Sequence, residues 1–258
     1  MKKLKENESL NTKTYPDLAF QWVGFNVQKP PMDNPKLREA LRYIIDPEEI
    51  IIGVFAGQAD PAYSWLLPDM LGYKKSPHKN LEDVSRDYVL NLLEEAGYPN
   101  GEGLNLKYVT DANQERRTIA TLIQAQLAKF NINVEIETME IGPKIEAWHN
   151  GEYHITYARF GNTVDPGYNS QWFLSRQVGK WNLMHWSNEE YDNLWDKAEQ
   201  TMDNDERAKL YHEMQDIVDH ANIGVWVTHG VKTPTWNNDL EVTLTPDGGI
   251  LSWLAKYK

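Results

Sequence analysis

The spacing of apolar and polar residues along the chain switches repeatedly between a period of two and a period of 3.6, so strands and helices alternate. Phe20 to Val27 (FQWVGFNV) is a short apolar run that predicts a buried strand, ended by Lys29-Pro30-Pro31. Asn34 with Pro35 starts a helix reaching about Ile45, and Asp46-Pro47-Glu48-Glu49 starts another, with a capping Asp, a Pro at the first helical position and an acid to return the cap. Residues 57–80 read as loop, punctuated by Gly57, Pro61, Pro68, Gly72 and Pro77. A helix from about Asp83 to Ala96 places Val84, Tyr88, Leu92 and Ala96 on one face and stops at Gly97.

Leu104, Leu106 and Tyr108 then alternate as a strand. Gln114 to Phe130 forms an amphipathic helix carrying Ile119, Leu122, Ile123 and Leu127, and Ile132, Val134 and Ile136 alternate again. Strand, helix and strand with short connections make a βαβ unit, whose strands are parallel with a right-handed crossover. A short helix around Pro143–His149 leads to a third alternating run, in which Ile155, Tyr157 and Arg159 face one way and His154, Thr156 and Ala158 the other. Ser187-x-x-Glu190 and Asp203-x-x-Glu206 open two further helices. Gly224 to Thr228 (GVWVT) reads as a buried strand, and Leu240 to Leu244 as one more. The prediction is an α/β fold with a mostly parallel central sheet that includes 104–109, 132–138 and 153–159, flanked by helices. Residues 1–16 are polar and read as a frayed N-terminus, 17–235 as the α/β body and 236–258 as a C-terminal tail.

Tyr153 to Trp186 concentrates the candidate chemistry. Its strand runs into Gly161-Asn162-Thr163, and Asp165 can cap a helix that Pro166 begins. A strand tip that feeds a polar loop and a helix start gathers free N–H groups and side-chain amides, a common ligand-binding arrangement in α/β sheets. The candidate ligand-binding residues are Arg159, Asn162, Thr163, Asp165, Tyr168, Trp172, Trp181 and Trp186. Each has a plain structural alternative. Asn162 can close its own turn, Asp165 can act only as a cap, and Arg159 either meets a ligand anion or pairs with a surface acid. Trp148, Trp172, Trp181 and Trp186 are expected to divide between core and cleft.

Composition narrows the function. A net charge of −12 over 258 residues argues against nucleic acid and anionic membrane surfaces as partners. The absence of Cys removes disulfides and thiolate metal sites, no apolar run approaches membrane-spanning length, and MKKLKENESL lacks the apolar core of a signal peptide. The seven His form no metal-ligand pattern, and there is no nucleophile elbow, phosphate loop or dinucleotide fingerprint, so neither metal nor cofactor is expected. Glu94-Glu95 and Glu189-Glu190 read as solvated helix faces. Ten Trp and thirteen Tyr suit pockets for flat or amphipathic ligands as well as cores.

Several stretches in order, namely FNVQKPPMDNPKLREALRYIIDPEEII, LLEEAGYPNG, IQAQLAKFNINVEIE, the Asp165-Pro166 step and SNEEYDNLWDKAEQTMDNDERAKLYHEMQDIV, resemble the second half of the oligopeptide/dipeptide-type extracellular solute-binding proteins (family 5) of ABC importers. The resemblance covers Phe20 to about Thr233. It implies a C-terminal lobe of the periplasmic-binding-protein type II kind, which closes on a small-molecule solute together with an N-terminal lobe and delivers it to a membrane permease, in the periplasm or at the cell surface. It also implies that Phe20–Val27 and Gly224–Gly230 lie side by side as the segments crossing between lobes, that the tail returns to the other lobe, and that a lobe alone exposes a cleft face prone to self-association. Peptide-binding members carry an Asp where this chain has Asn162. An amide lacks the charge that singles out an ammonium, which favours a sugar, an opine-like or an anionic solute over a zwitterionic peptide. The competing reading is a carbohydrate-active enzyme, which needs two carboxylates facing each other across a cleft at about 5–10 Å.

Overall fold

The computed structural model describes residues 7–75, 81, 83–161, 163–245 and 248–258. The first half of the chain contains β1 (Leu10–Thr12), β2 (Tyr15–Pro16), β3 (Ala19–Phe25), α1 (Pro35–Ile44), α2 (Pro47–Phe55), α3 (Arg86–Glu95), β4 (Asn105–Asp111) and α4 (Gln114–Ala128). The second half contains β5 (Asn133–Met139), α5 (Ile141–Asn150), β6 (Ile155–Gly161), α6 (Pro166–Ser170), α7 (Glu189–Gln200), α8 (Asn204–Ala221), β7 (Gly224–Thr228), β8 (Val231–Lys232), β9 (Thr235–Asn237), β10 (Leu240–Glu241) and β11 (Lys256–Tyr257).

Capping side chains set the helix starts. Asn34 and Asp46 accept from the amides of Lys36 and Glu48, and Asp203 accepts from those of Asp205 and Glu206, as their sequence positions predict. Two starts differ from the sequence reading. α3 begins after Ser85 and not at about Asp83, Ser85 accepting from the Tyr88 amide at 3.1 Å, and the buried face is Val89, Leu92 and Leu93, with Tyr88 exposed. Asn188, not Ser187, caps α7, accepting from the Tyr191 amide at 2.8 Å. Adjacent Ser and Asn are both good caps, and the side chain that reaches the N3 amide takes the role.

The central sheet has five strands in the order β5-β4-β6-β3-β7. β4 is parallel to β5 and β6, while β3 is antiparallel to both β6 and β7, so four strands share one direction and β3 alone opposes them. The predicted βαβ unit is present, and β3 lies beside β7 with Gln21 opposite Thr228 and Gly24 opposite Gly224. Alternation along the strands divides neighbours between two cores. Val23, Phe25, Tyr108 and Tyr157 join one, with residues of α1 to α4; Phe20, Trp22, Val109 and Ala158 join the other, with residues of α5, α7 and α8.

The stretch after Gly57 is more than a loop. Ala62, Trp65, Leu66, Leu67 and Met70 are buried in the second core. Gln215 of α8 latches the stretch, accepting from Ser64 Oγ and the Lys74 amide and donating to Gly72 O. At the end of β4, Asp111 accepts from Arg116 Nε at 2.8 Å and pairs with Lys144 of α5.

Within the polar stretch 1–16 the described part, 7–16, carries β1 and β2. They pair antiparallel with β9 and β8, in a narrow ribbon that continues outward from the β3–β7 ladder, beyond Asp17 on one side and Gly230 on the other. In the tail, β10 pairs with β11, and Leu244 bridges Ile250.

Candidate functional site

The site is built where β6 ends. Ala19 pairs with Gly161, whose φ is +121°, and a Cβ there would lie 2.6 Å from Leu18 O and 2.7 Å from Ala19 Cα. Glycine is therefore required at this close crossing. Asn162, the next residue, lies outside the described residues. Thr163 Oγ1 accepts from the Asp165 amide at 3.2 Å, and Asp165 Oδ1 accepts from the Tyr168 amide at 3.0 Å. Asp165 also stands 3.8 Å from Arg207. Both side chains are thus engaged in shaping the loop and starting α6.

Beyond the loop opens a groove of about 240 Å³, walled by Arg159, Phe160, Gly161, Tyr168, Trp172 and Trp181. Four of the sequence-predicted residues meet here. Tyr168 and Trp181 are 46% and 38% exposed. The Trp172 ring lies 5.4 Å from Tyr168 and 5.2 Å from Phe160, and its buried Nε1 has no hydrogen-bond partner among the described residues. The groove thus offers flat apolar faces, and the Trp172 indole behind them keeps a buried donor without a partner among the described residues. Trp186 lies apart from it, buried in the second core with its ring edge-on to Tyr191 at 5.3 Å. Trp148 is likewise buried, donating to Thr156 Oγ1 at 2.8 Å.

Arg159 is paired. Its guanidinium binds Asp17, a buried carboxylate that also lies 3.5 Å from Lys232. Asp17 escaped the sequence reading because its partner is 142 positions away. Among the described residues no carboxylate lines the groove, so none of them forms there the facing acid pair that a glycosidase uses. A larger, open hollow of about 550 Å³ over the start of α7 has only surface or half-buried walls and no buried polar group. Val164, three residues after Gly161, lines a hollow of about 490 Å³ that also takes in His229, a residue the sequence reading passed over except as a metal ligand.

Comparison with known proteins agrees with this architecture. Residues 1–182 match the family model for bacterial extracellular solute-binding proteins, family 5 middle region. Heme-binding protein A of Haemophilus influenzae is 30% identical over 238 residues, covering 89% of this chain and 42% of that protein. The glutathione-binding protein GsiB of Escherichia coli K12 is 28% identical over 225 residues, covering 83% of this chain and 43% of that one. Among solved structures, a dipeptide-binding protein from Pseudoalteromonas in complex with Met-Leu superposes with a TM-score of 0.85 at 26% identity, over all of this chain and 52% of its own. The periplasmic protein DppA of Helicobacter pylori, bound to the peptide STSA, gives 0.84 at 23% identity, over 93% of this chain and 47% of its own. The chain thus spans less than half the length of the curated relatives it matches.

Proposed function

Because the chain belongs to the bacterial extracellular solute-binding proteins of family 5, we propose that it is a ligand-binding lobe of an ABC-importer solute-binding protein. It captures a small organic solute between its aromatic groove and a second lobe, outside the cytoplasmic membrane, and hands it to a membrane permease. The observation that carries this reading is the groove at the end of β6, where the aromatic side chains of Tyr168, Trp172 and Trp181 come together.

The groove also bears on the solute. Asn162 brings no negative charge, and Arg159 is already held by Asp17. A free α-ammonium therefore finds no counter-charge among the groove walls, and an anion finds no free guanidinium. Neutral polar groups on flat or amphipathic bodies, such as sugar rings or blocked peptides, fit better. Thr163 and Asp165 hold the loop at the start of α6, and Asn162 is the polar side chain assigned to the solute.

Enclosure between two lobes excludes water and strengthens each polar contact. One lobe provides about half of those contacts yet still bears the cost of immobilising the solute. Binding by this chain alone is therefore weak, and its exposed aromatic face favours a second lobe or self-association.

The test is tryptophan-emission titration with a disaccharide, N-acetyl-Met-Leu, Met-Leu and glutathione, on the wild type and on Trp181→Ala and Arg159→Ala. A response to neutral solutes that weakens about tenfold in Trp181→Ala is expected. Tight binding unchanged by either variant would place the site elsewhere and refute the reading.

A further inference from the structure

β7 delivers His229 to the same end of the sheet at which β6 delivers its loop, because the two strands run in parallel on either side of β3. Gly230, with φ +74°, turns the chain there, and its amide donates to Thr228 Oγ1 at 2.8 Å. The imidazole is 6% exposed, yet neither Nδ1 nor Nε2 has a hydrogen-bond partner among the described residues. Buried polar groups are rarely left so. Burial pushes the His229 pKa down to about 4, so the ring is neutral at pH 7 and presents one donor and one acceptor.

His229 lines the 490 Å³ hollow, whose other walls include Leu18, Pro61, Leu67, Met70 and Val164. That volume is within the range of small-molecule pockets. Asp60 and Asp69 also line it, so an anionic group is disfavoured. Val164 belongs to the loop that borders the aromatic groove, which makes the two hollows neighbours across one loop.

We propose that this hollow is a second solute subsite, taking an apolar moiety that carries a neutral hydroxyl or amide, with the His229 imidazole as its hydrogen-bond partner. The proposal rests on the solute-binding reading above. A neutral imidazole has one donor and one acceptor nitrogen, so a hydroxyl or amide can pair with either one, and the apolar walls supply the remaining contact. A purely apolar guest would leave both nitrogens unpaired.

The probe is p-cresol, with toluene as the same body lacking the hydroxyl, titrated into ¹⁵N-histidine-labelled protein. p-Cresol should move the His229 ring-nitrogen resonances saturably and bind about tenfold more tightly than toluene, the effect of one buried hydrogen bond. His229→Phe keeps a ring and removes both nitrogens, and should bring the two probes within about twofold, read from ring-current shifts of the Val164 and Met70 methyl groups. His229→Gln, which retains a donor and an acceptor, should keep the preference and serves if the Phe variant does not fold. Equal binding of the two probes to the wild type, no saturable p-cresol binding, or a preference that survives in His229→Phe overturns the proposal. So does loss of p-cresol binding on adding a second lobe without solute, because the hollow would then be filled by protein. The two readings fail separately: no solute response in the wild type, with p-cresol discrimination intact, would sink the groove assignment and leave the pocket standing, and Trp181→Ala should leave that discrimination unchanged.

Discussion

Replacing Asp111 by Asn should cost far more than replacing its partner Lys144 by Met. The Asp111 and Lys144 side chains are 3% and 6% exposed, so neither charge is solvated. Burial by itself raises the Asp111 carboxyl, but hydrogen bonds from Arg116, Lys144 and the Asn113 amide outweigh it and bring the pKa from 3.8 down to about 2. For Lys144, burial outweighs the attraction of Asp111 and the pKa falls. The two partners therefore differ: Asp111 is over-supplied with donors, whereas Lys144 depends on one carboxylate and on the Trp148 ring, 4.4 Å from its Nζ. Asp111→Asn strands a buried ammonium, a defect worth about 3–5 kcal/mol. Lys144→Met leaves Asp111 with Arg116 and Asn113, and its loss should stay near 1 kcal/mol.

The pH dependence follows from the lowered carboxyl. The folded pKa lies below the unfolded one, so the stabilisation is complete above about pH 3.8 and is lost as pH falls toward 2. Its size is roughly 2.5 kcal/mol, at about 1.4 kcal/mol per pH unit. Urea unfolding followed by circular dichroism, at neutral pH and stepwise down to pH 2, measures both effects. Equal losses in the two variants, or an acid limb in Asp111→Asn parallel to that of the wild type, would refute the reasoning.

Gly161→Ala should lower stability by about 2 kcal/mol or more, because its Cβ meets the Leu18 carbonyl in a backbone region that L residues avoid. Gly142→Ala, in α5 with nothing within 4 Å, is the control and should be neutral or slightly stabilising, and thermal melts that fall equally for both would contradict this. Asp17→Asn should release Arg159 and raise affinity for the anionic tripeptide glutathione several-fold at low salt. Titration at low and high salt checks this, and an unchanged affinity shows that the pair does not restrain Arg159. Tyr157→Phe removes a buried hydroxyl that donates to Gln21 Oε1 and should cost about 1–2 kcal/mol in urea unfolding; a neutral result would mean that the Gln21 amide finds another partner.

Local chemistry was legible where neighbours in sequence decide it. The caps at Asn34, Asp46, Asp165 and Asp203 and the alternation in Leu104–Tyr108 and Ile132–Ile136 need only a few residues of context. The family order of motifs placed β3 beside β7. Less was readable where tertiary contacts decide. The stretch Ala62–Met70 has no clean period, because each apolar side chain answers to a different neighbour in the core. The Trp residues all look alike in sequence, yet Trp172 and Trp181 wall the groove while Trp148 and Trp186 fill the core. The Asp17–Arg159 pair joins residues 142 positions apart, and His229 is notable only for the partners it lacks.

The ribbon of β1 and β2 against β9 and β8 has a mechanical meaning. Leu10 faces Asn237, and the rungs continue inward through Thr12–Thr235, Tyr15–Lys232 and Gln21–Thr228 to Gly24–Gly224. A tension that draws Leu10 and Asn237 apart acts across the rungs instead of along the strands, so it loads one hydrogen-bonded pair at a time, as a zipper opens from its free end. Strain arriving through this ribbon is released step by step before it reaches the aromatic packing around Trp22 and Trp226. The lobe is thereby yielding at its neck and stiff in its body.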